Sequence, residues 1–262
     1  MQMFETISIQ ADDRGIATLW LDRAEKHNAL SAQMMAELTE AAGQLGTDGK
    51  VRAVVLAAKG RTFCAGGDLA WMRDQFEAMP DVRAKEAAKL AYMLQALNTL
   101  PKPLIGRLQG NAFGGGVGIA SVCDVAIGVD HLQMALTETR LGLIPATIGP
   151  YVAARMGEAA ARRVFMSGRS LIATEAERLN LLARVVPVAE LDAAVEDEIA
   201  PYLSCAPEAV ARAKKMLRGF GPKIDQAVID ASIAELSACW AGEEAQEGIA
   251  AFFDKRSPEW KL

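Results

Sequence analysis

The residues best suited to chemistry in this chain lie in one glycine-rich stretch, residues 110–124 (GNAFGGGVGIASVCD). Gly114, Gly115 and Gly116 stand between an apolar run typical of a strand and an apolar segment typical of a helix. Glycine lets a ligand approach the backbone, and the N–H groups at a helix start attract negative charge. The stretch therefore favours binding of a phosphate or of a carbonyl oxygen that becomes an oxyanion. The alternative is that the glycines only let a helix pack tightly on a sheet.

A second glycine-bearing turn follows another apolar segment. Residues 51–57 (VRAVVLA) predict a strand buried on both faces, and residues 61–69 (RTFCAGGDL) follow with Gly66 and Gly67. Asp68 is predicted to cap the next helix. If the strands before the two turns are neighbours in one sheet, the turns lie side by side at its carboxyl edge. One N–H group from each turn can then converge on a single oxygen, which is the definition of an oxyanion hole.

Composition limits the classes of protein that this chain can belong to. A length of 262 residues, 51% of them hydrophobic, predicts one large domain with an appendage. The net charge of −5 argues against a general nucleic-acid or membrane-surface binder. The four cysteines lack CxxC spacing, so we expect reduced thiols and no metal site. Residues 1–10 lack the features of a signal peptide, no apolar run is long enough to span a bilayer, and we expect a cytoplasmic protein.

The order of the predicted elements indicates an α/β core followed by helices. Residues 4–10 and 16–21 predict a hairpin, and Ser31 is a good cap for a helix that runs to about residue 45. Strands and helices then alternate as far as residue 188, which is typical of parallel strands. From residue 191 onward the pattern is helical. We therefore predict a core over residues 1–190 and a helical region over residues 191–262.

Four motifs, in this order and with this spacing, resemble those of the enoyl-CoA hydratase/isomerase (crotonase) family. They are LxRxxxxNAL at 21–30, FxAGxDL at 63–69, GxAxGGG at 110–116 and AFxxKR at 251–256. The resemblance implies an α/β spiral of repeated β-β-α units. It also implies that the C-terminal helices mediate trimerisation, giving a homotrimer or a dimer of trimers.

The same resemblance implies a coenzyme A thioester as substrate, with no separate cofactor because coenzyme A is part of that substrate. The thioester carbonyl is expected on the N–H groups of Gly67 and Gly115, with an enolate as the intermediate. For Arg23, Lys26 and Lys255 an ordinary solvated charge is an equally good interpretation, and helix capping by itself explains Asp68. The residues expected along the substrate and its coenzyme A are Arg23, Lys26, Ala29, Ala65, Asp68, Leu69, Gly116 and Lys255.

One departure from the family pattern decides which reactions are open. Family hydratases carry two glutamates that hold the attacking water, and this chain has Gly118 at the first position and Glu138 at the second. We expect Glu138 to be catalytic, with a pKa raised by burial. A single glutamate can serve hydration or migration of the double bond.

Gly118 and residues 138–152 (ETRLGLIPATIGPYV) resemble bacterial methylglutaconyl-CoA and isohexenylglutaconyl-CoA hydratases, which favours hydration. Such substrates carry a second carboxylate, so a pocket cation is expected, with Arg140 and Arg155 as candidates. A purely structural role is an equally good interpretation of both arginines.

The sequence is also compatible with other functions. A hydrolase, dehalogenase or decarboxylase of the family would use the same oxyanion hole with a different acid or nucleophile. An inactive coenzyme A- or RNA-binding member is a further alternative. The acidic net charge and the presence of Glu138 weigh against it.

Overall fold

The computed structural model describes residues 4–261, and its strands form two sheets. The strands are β1 (Ile7–Ala11), β2 (Ile16–Leu21), β3 (Ala53–Ala58), β4 (Leu104–Leu108), β5 (Ala112–Phe113), β6 (Val125–Val129), β7 (Gln133–Ala135), β8 (Leu171–Ile172) and β9 (Arg184–Val186). The larger sheet has the order β1-β2-β3-β4-β6-β9, and the smaller one has the order β5-β7-β8. In the larger sheet only the β1–β2 pair is antiparallel, which confirms the predicted hairpin and the parallel core.

Helices cover the sheets and form most of the chain after residue 190. They are α1 (Ala32–Thr47), α2 (Leu69–Glu77), α3 (Pro80–Asn98), α4 (Gly115–Val122), α5 (Gly149–Met156), α6 (Glu158–Phe165), α7 (Ala173–Arg178), α8 (Leu191–Leu203), α9 (Pro207–Phe220), α10 (Gln226–Ala241) and α11 (Glu243–Phe253). Short 3-10 turns occupy Ala24–Lys26, Glu138–Leu141 and Val188–Glu190. Within residues 4–261, none of the helices combines the length and apolar character needed to cross a bilayer.

Two of the helices that frame the site begin at side-chain caps, as predicted. The Ser31 hydroxyl accepts a hydrogen bond from the N–H of Met34 at 3.2 Å, which starts α1. The Asp68 carboxylate accepts hydrogen bonds from the N–H groups of Ala70 and Trp71, which starts α2. These caps satisfy donors that have no partner within the helix and fix where each helix begins.

Helix α4 begins two residues earlier than its apolar segment predicted. Gly114 adopts a φ of 47°, and Gly115 and Gly116 already form the first turn of the helix. Every residue of α4 is buried, so the helix runs through the centre of the molecule. The glycines are therefore part of the helix as well as of the turn that precedes it.

The C-terminal helices pack in two different ways. Helix α8 lies on β4 and β6 and contributes to the main core, whereas α10 packs on α3 and α11 packs on the turn Glu138–Leu141. Leu143, Trp240, Ala245 and Ile249 form a second, smaller apolar cluster there. The domain boundary near residue 190 and the trimerisation of the C-terminal helices stay predictions.

Helix α9 has no buried residue and is held to the core by charge. The Lys214 ammonium donates to the Asp124 carboxylate at 2.6 Å and to the Lys102 carbonyl oxygen at 2.9 Å. Asp124 also accepts a hydrogen bond from the N–H of Leu104 at 2.8 Å and pairs with Arg218 at 3.2 Å. The Lys214 side chain is only 10% exposed, and burial lowers its pKa while the Asp124 charge opposes that shift.

Replacement of Lys214 by methionine should destabilise the protein by about 3 kcal/mol, because it leaves a largely buried Asp124 carboxylate with fewer partners. The midpoint of urea unfolding measures this change. Lys215→Met is the matched control, since Lys215 is exposed and forms no ion pair with any of residues 4–261. Equal midpoints for the two variants would contradict a stabilising role for the Lys214–Asp124 pair.

Candidate active site

A cavity of about 530 Å³ lies where the two glycine turns meet. Gly66, Gly67, Gly114 and Gly115 form part of its wall, and Glu138 also faces it. Most of the remaining wall is apolar and includes side chains from α2, α3, α10 and α11. These side chains are Trp71, Met72, Leu90, Leu236, Trp240 and Phe252.

The strands predicted before the two glycine turns are β3 and β4, and they are parallel neighbours in the larger sheet, as expected. The short strand β5 of the smaller sheet lies between β4 and the second turn, and it makes the contact with the first turn. Cys64 forms a parallel bridge to Ala112 of β5, and the N–H of Phe113 donates to the Cys64 carbonyl oxygen at 2.9 Å. A Cβ on Gly66 would lie 3.1 Å from the Phe113 carbonyl oxygen, and Gly66 has a φ of 94°. Glycine is therefore required at this contact.

The backbone donors predicted for an oxyanion hole border the same cavity. Within residues 4–261, no backbone or side-chain acceptor bonds to the N–H of Gly67 or to the N–H of Gly115. Gly115 is the first residue of α4, where the helix dipole adds partial positive charge. Leu30 connects the two donors, since it pairs with Gly67 in a parallel bridge and its Cδ1 lies 2.6 Å from where a Gly115 Cβ would be. Convergence of both N–H groups on one oxygen stays a prediction.

Glu138 places a carboxyl group against this glycine wall. Its Oε1 lies 3.0 Å from the position of a Cβ on Gly114. Although the residue as a whole is half-buried, its Oε2 has no solvent contact and no hydrogen-bond partner among residues 4–261. Burial raises the pKa of Glu138 to about 7, as the sequence predicted. A carboxyl with this pKa can both accept and donate a proton near neutral pH.

The space of the missing first glutamate is filled by Ile148. Gly118 is buried inside α4, and a Cβ added to it would lie 2.7 Å from Ile148 Cγ2 and 3.5 Å from Leu94 Cδ1. The sequence identified the absence of a carboxylate at residue 118. It did not predict that an isoleucine from the loop before α5 would take up the volume.

The residues expected along coenzyme A fall into four groups. Ala65 and Leu69 line the cavity, whereas Ala29 and Gly116 are buried behind it. Arg23 and Asp68 form an ion pair at 3.0 Å, and Arg23 also donates to the Ala29 carbonyl oxygen at 2.9 Å. Lys26 and Lys255 are exposed and have no ion-pair partner in the described part of the chain. The contacts of these residues with coenzyme A stay predictions.

The two predicted pocket cations lie in different places. The Arg155 guanidinium donates to the carbonyl oxygens of Cys123, Asp124 and Asn180, and the residue does not line the cavity. Arg140 does line the cavity, and no carboxylate of residues 4–261 lies within ion-pair distance of it. Arg140 is thus the cation that remains available to a ligand.

Sequence reasoning missed several polar residues of the cavity wall. Gln133, Thr137, Thr147 and Ser170 all face the cavity, and the Ser170 hydroxyl bonds to the Gln133 side-chain oxygen at 3.1 Å. None of them belongs to one of the four motifs. Only the closure of β7, β8 and the loop before α5 around Glu138 brings them together.

The fold and the cavity define an α/β enzyme in which backbone donors of two glycine turns face a buried carboxyl group. Comparison with known families gives the particular identity. The family model described as enoyl-CoA hydratase/isomerase matches residues 11–262, and the chain belongs to this family. The fold predicted from the four motifs is thereby confirmed.

Individual relatives agree with this assignment over nearly the whole chain. An enoyl-CoA hydratase from Shewanella pealeana shares 35% identity, with a TM-score of 0.81 and coverage of 98% of this chain and 96% of that one. An enoyl-CoA hydratase from Mycobacterium smegmatis shares 34% identity, with a TM-score of 0.79 and coverage of 98% and 100%. The mitochondrial methylglutaconyl-CoA hydratase of Mus musculus is 30% identical over 263 residues, which cover 97% of this chain and 82% of that protein.

The packing of Ile148 against Gly118 predicts a strong coupling between these two positions. Gly118→Ala should destabilise the protein by about 2 kcal/mol, because the new methyl group overlaps Ile148. In an Ile148→Ala background the same change should cost much less, because the space has been vacated. A double-mutant cycle of unfolding free energies measures the coupling. Additive effects would show that the two side-chain positions do not share one volume.

Proposed function

We propose that this protein adds water across the C2=C3 double bond of an enoyl-CoA thioester. The observation that carries the proposal is the Glu138 carboxyl, whose Oε2 is buried, in a cavity bordered by Gly67 and Gly115. Neither this oxygen nor the N–H groups of the two glycines have a hydrogen-bond partner within residues 4–261. These are the parts that an enolate mechanism requires, namely a base of suitable pKa and donors for a developing oxyanion.

The proposed reaction uses one carboxyl group for two proton transfers. The water oxygen bonds to C3 while the Glu138 carboxylate takes a proton from that water. The electron pair of the double bond moves onto the thioester oxygen, where the N–H groups of Gly67 and Gly115 stabilise the negative charge. The protonated Glu138 then donates its proton to C2, so that water has been added and the carboxylate is restored.

Double-bond isomerisation is the second candidate, and the single carboxyl of the cavity favours it. Glu138 would then remove a proton from one carbon of the acyl chain and return it to another. The solved relatives described above support hydration, since both are enoyl-CoA hydratases. Incubation with crotonyl-CoA and with a 3-enoyl-CoA separates the two reactions, because only hydration consumes water and only isomerisation moves the double bond. Inactivity on both substrates would favour a binding protein.

The finer substrate proposal is an enoyl-CoA whose acyl group carries a second carboxylate, of the methylglutaconyl type. Arg140 supports it as a cation on the cavity wall that no carboxylate of residues 4–261 neutralises. The mouse relative, a methylglutaconyl-CoA hydratase, points to the same class of substrate.

For the intact protein we propose a homotrimer or a dimer of trimers in the cytoplasm that needs no separate cofactor. Met216, Leu217 and Phe220 on α9 support assembly, because they expose 56–76% of their surface. In this assembly the exposed Lys255 would reach the coenzyme A of a neighbouring subunit.

Glu138→Gln should lower kcat for hydration by about 10³-fold, because the amide cannot accept the water proton.

For the wild type, kcat/KM should rise as the pH rises through about 7, since the base must be ionised and burial raises the pKa of Glu138 to about 7. Because the pKa of Glu138 is raised, the folded state binds the carboxyl proton more tightly than the unfolded state does. The stability that this proton binding contributes is lost as the pH rises through 7. Glu138→Gln should therefore melt higher relative to wild type at pH 8 than at pH 5. A pH profile with no inflection near 7 would contradict the role of Glu138.

Arg140→Gln should raise KM about tenfold for methylglutaconyl-CoA and leave KM for crotonyl-CoA unchanged, since only the first substrate has a carboxylate for the guanidinium. Arg162→Gln is the matched control, because Arg162 pairs with Glu158 and does not line the cavity. An equal rise of KM for both substrates would show that Arg140 does not recognise the acyl group, and it would leave the hydratase proposal intact.

A further inference from the structure

We propose that Thr147 positions the attacking water opposite Glu138, in the role that the absent first carboxylate leaves open. The inference rests on the proposed hydration reaction and adds a residue that lies outside the four sequence motifs. It follows from the burial of Thr147, from its unbonded hydroxyl group and from the loop that carries it.

Thr147 is almost fully buried, but its hydroxyl group keeps some free surface. The residue is 4% exposed and lines the cavity, and its Oγ1 forms no hydrogen bond to any group in residues 4–261. Within residues 4–261, the buried side-chain polar atoms with neither solvent contact nor a hydrogen-bond partner are Trp20 Nε1, Gln75 Oε1, Gln109 Oε1 and Glu138 Oε2, so Thr147 Oγ1 is not fully enclosed. The hydroxyl therefore retains free surface, and the space that this residue borders is the cavity that holds Glu138. Buried polar groups of this kind are normally satisfied by ordered water.

The loop that carries Thr147 also closes the space beside Gly118. The next residue, Ile148, is 2% exposed and is the side chain that fills the volume of the missing glutamate. Helix α5 starts immediately afterwards and is anchored by Tyr151, whose hydroxyl bonds to the Gln95 side-chain oxygen at 3.1 Å. Thr147 is thus followed directly by a packed isoleucine and an anchored helix, which suits a group that must hold water in a fixed place.

Two other hydroxyl groups of the cavity are less suited to this role. Ser170 is exposed, and its hydroxyl is already bonded to the Gln133 side chain. Thr137 precedes Glu138 directly but is only half-buried. Thr147 is the most buried hydroxyl-bearing residue of the cavity wall in the part of the chain that the structure describes.

The chemical role requires no change of charge on Thr147. The attacking water gives one proton to Glu138 and needs a second hydrogen-bond partner that fixes the direction of its lone pair toward C3. A threonine hydroxyl accepts that second hydrogen bond and stays neutral throughout. The bond that forms is O–C3, the water proton passes through Glu138 to C2, and Thr147 is unchanged at the end.

The test compares Thr147→Val and Thr147→Ser by two rates measured on each variant. The first is the hydration of crotonyl-CoA. The second is the exchange of the C2 protons of butyryl-CoA with deuterated water, which needs Glu138 and the oxyanion donors but no attacking water. For Thr147→Val we expect kcat for hydration to fall about 10²-fold with little change in KM, while exchange stays within about threefold of wild type. Thr147→Ser should restore most of the hydration rate, because it keeps the hydroxyl.

Controls separate water positioning from a general structural defect. Thr39→Val changes a half-buried threonine of α1 whose hydroxyl bonds to the Met35 carbonyl oxygen at 2.8 Å, and it should leave both rates unchanged. Equal losses of hydration and exchange in Thr147→Val would overturn the proposal, and so would full hydration by that variant. An equal loss of hydration in Thr137→Val would overturn the assignment to residue 147. A wild-type protein that hydrates no enoyl-CoA would instead refute the proposed function itself.

Discussion

The close approach of the two glycine turns is the constraint on which the site depends. Leu30 holds the first turn in place, because its N–H donates to the Gly66 carbonyl oxygen at 2.7 Å and its carbonyl oxygen accepts from the N–H of Asp68 at 3.0 Å. With these hydrogen bonds made, the N–H groups of Gly67 and Gly115 have no acceptor among residues 4–261, and both glycines border the cavity. A donor that is fixed in advance stabilises a developing charge without reorganisation during the reaction.

Burial of the carboxyl group depends on the C-terminal helices as well as on the core. Helix α11 contacts the turn Glu138–Leu141 so closely that a Cβ on Gly142 would lie 2.3 Å from the Glu244 carbonyl oxygen. Leu236 and Trp240 of α10 complete the apolar wall of the cavity. Removal of water from around Glu138 is what raises its pKa to about 7. The helices that the sequence places in an appendage are thus part of the physical cause of the acid–base chemistry.

The volume beside Gly118, where the family resemblance led us to look for a first carboxylate, is filled by an apolar side chain. Ile148 occupies that volume, and its neighbour Thr147 lines the cavity. An apolar side chain in this place leaves the site with fewer buried charges to stabilise than a second carboxylate would. Glu138 is left as the cavity's only glutamate or aspartate side chain within residues 4–261, which explains why its pKa is set by burial and not by a second carboxylate.

The sequence by itself determined the elements and the family, whereas the tertiary structure decided which side chains share the site. Helix caps at Ser31 and Asp68, the hairpin and the parallel core follow from local patterns, because a cap or an alternation involves residues close in the chain. The roles of Arg140 and Arg155 could not be separated in that way. One lies on the cavity wall and the other binds backbone carbonyls, and that difference arises from contacts between distant segments. The same holds for Ile148 beside Gly118 and for the hydroxyl of Thr147, because packing between α4 and the loop before α5 has no signature in local sequence.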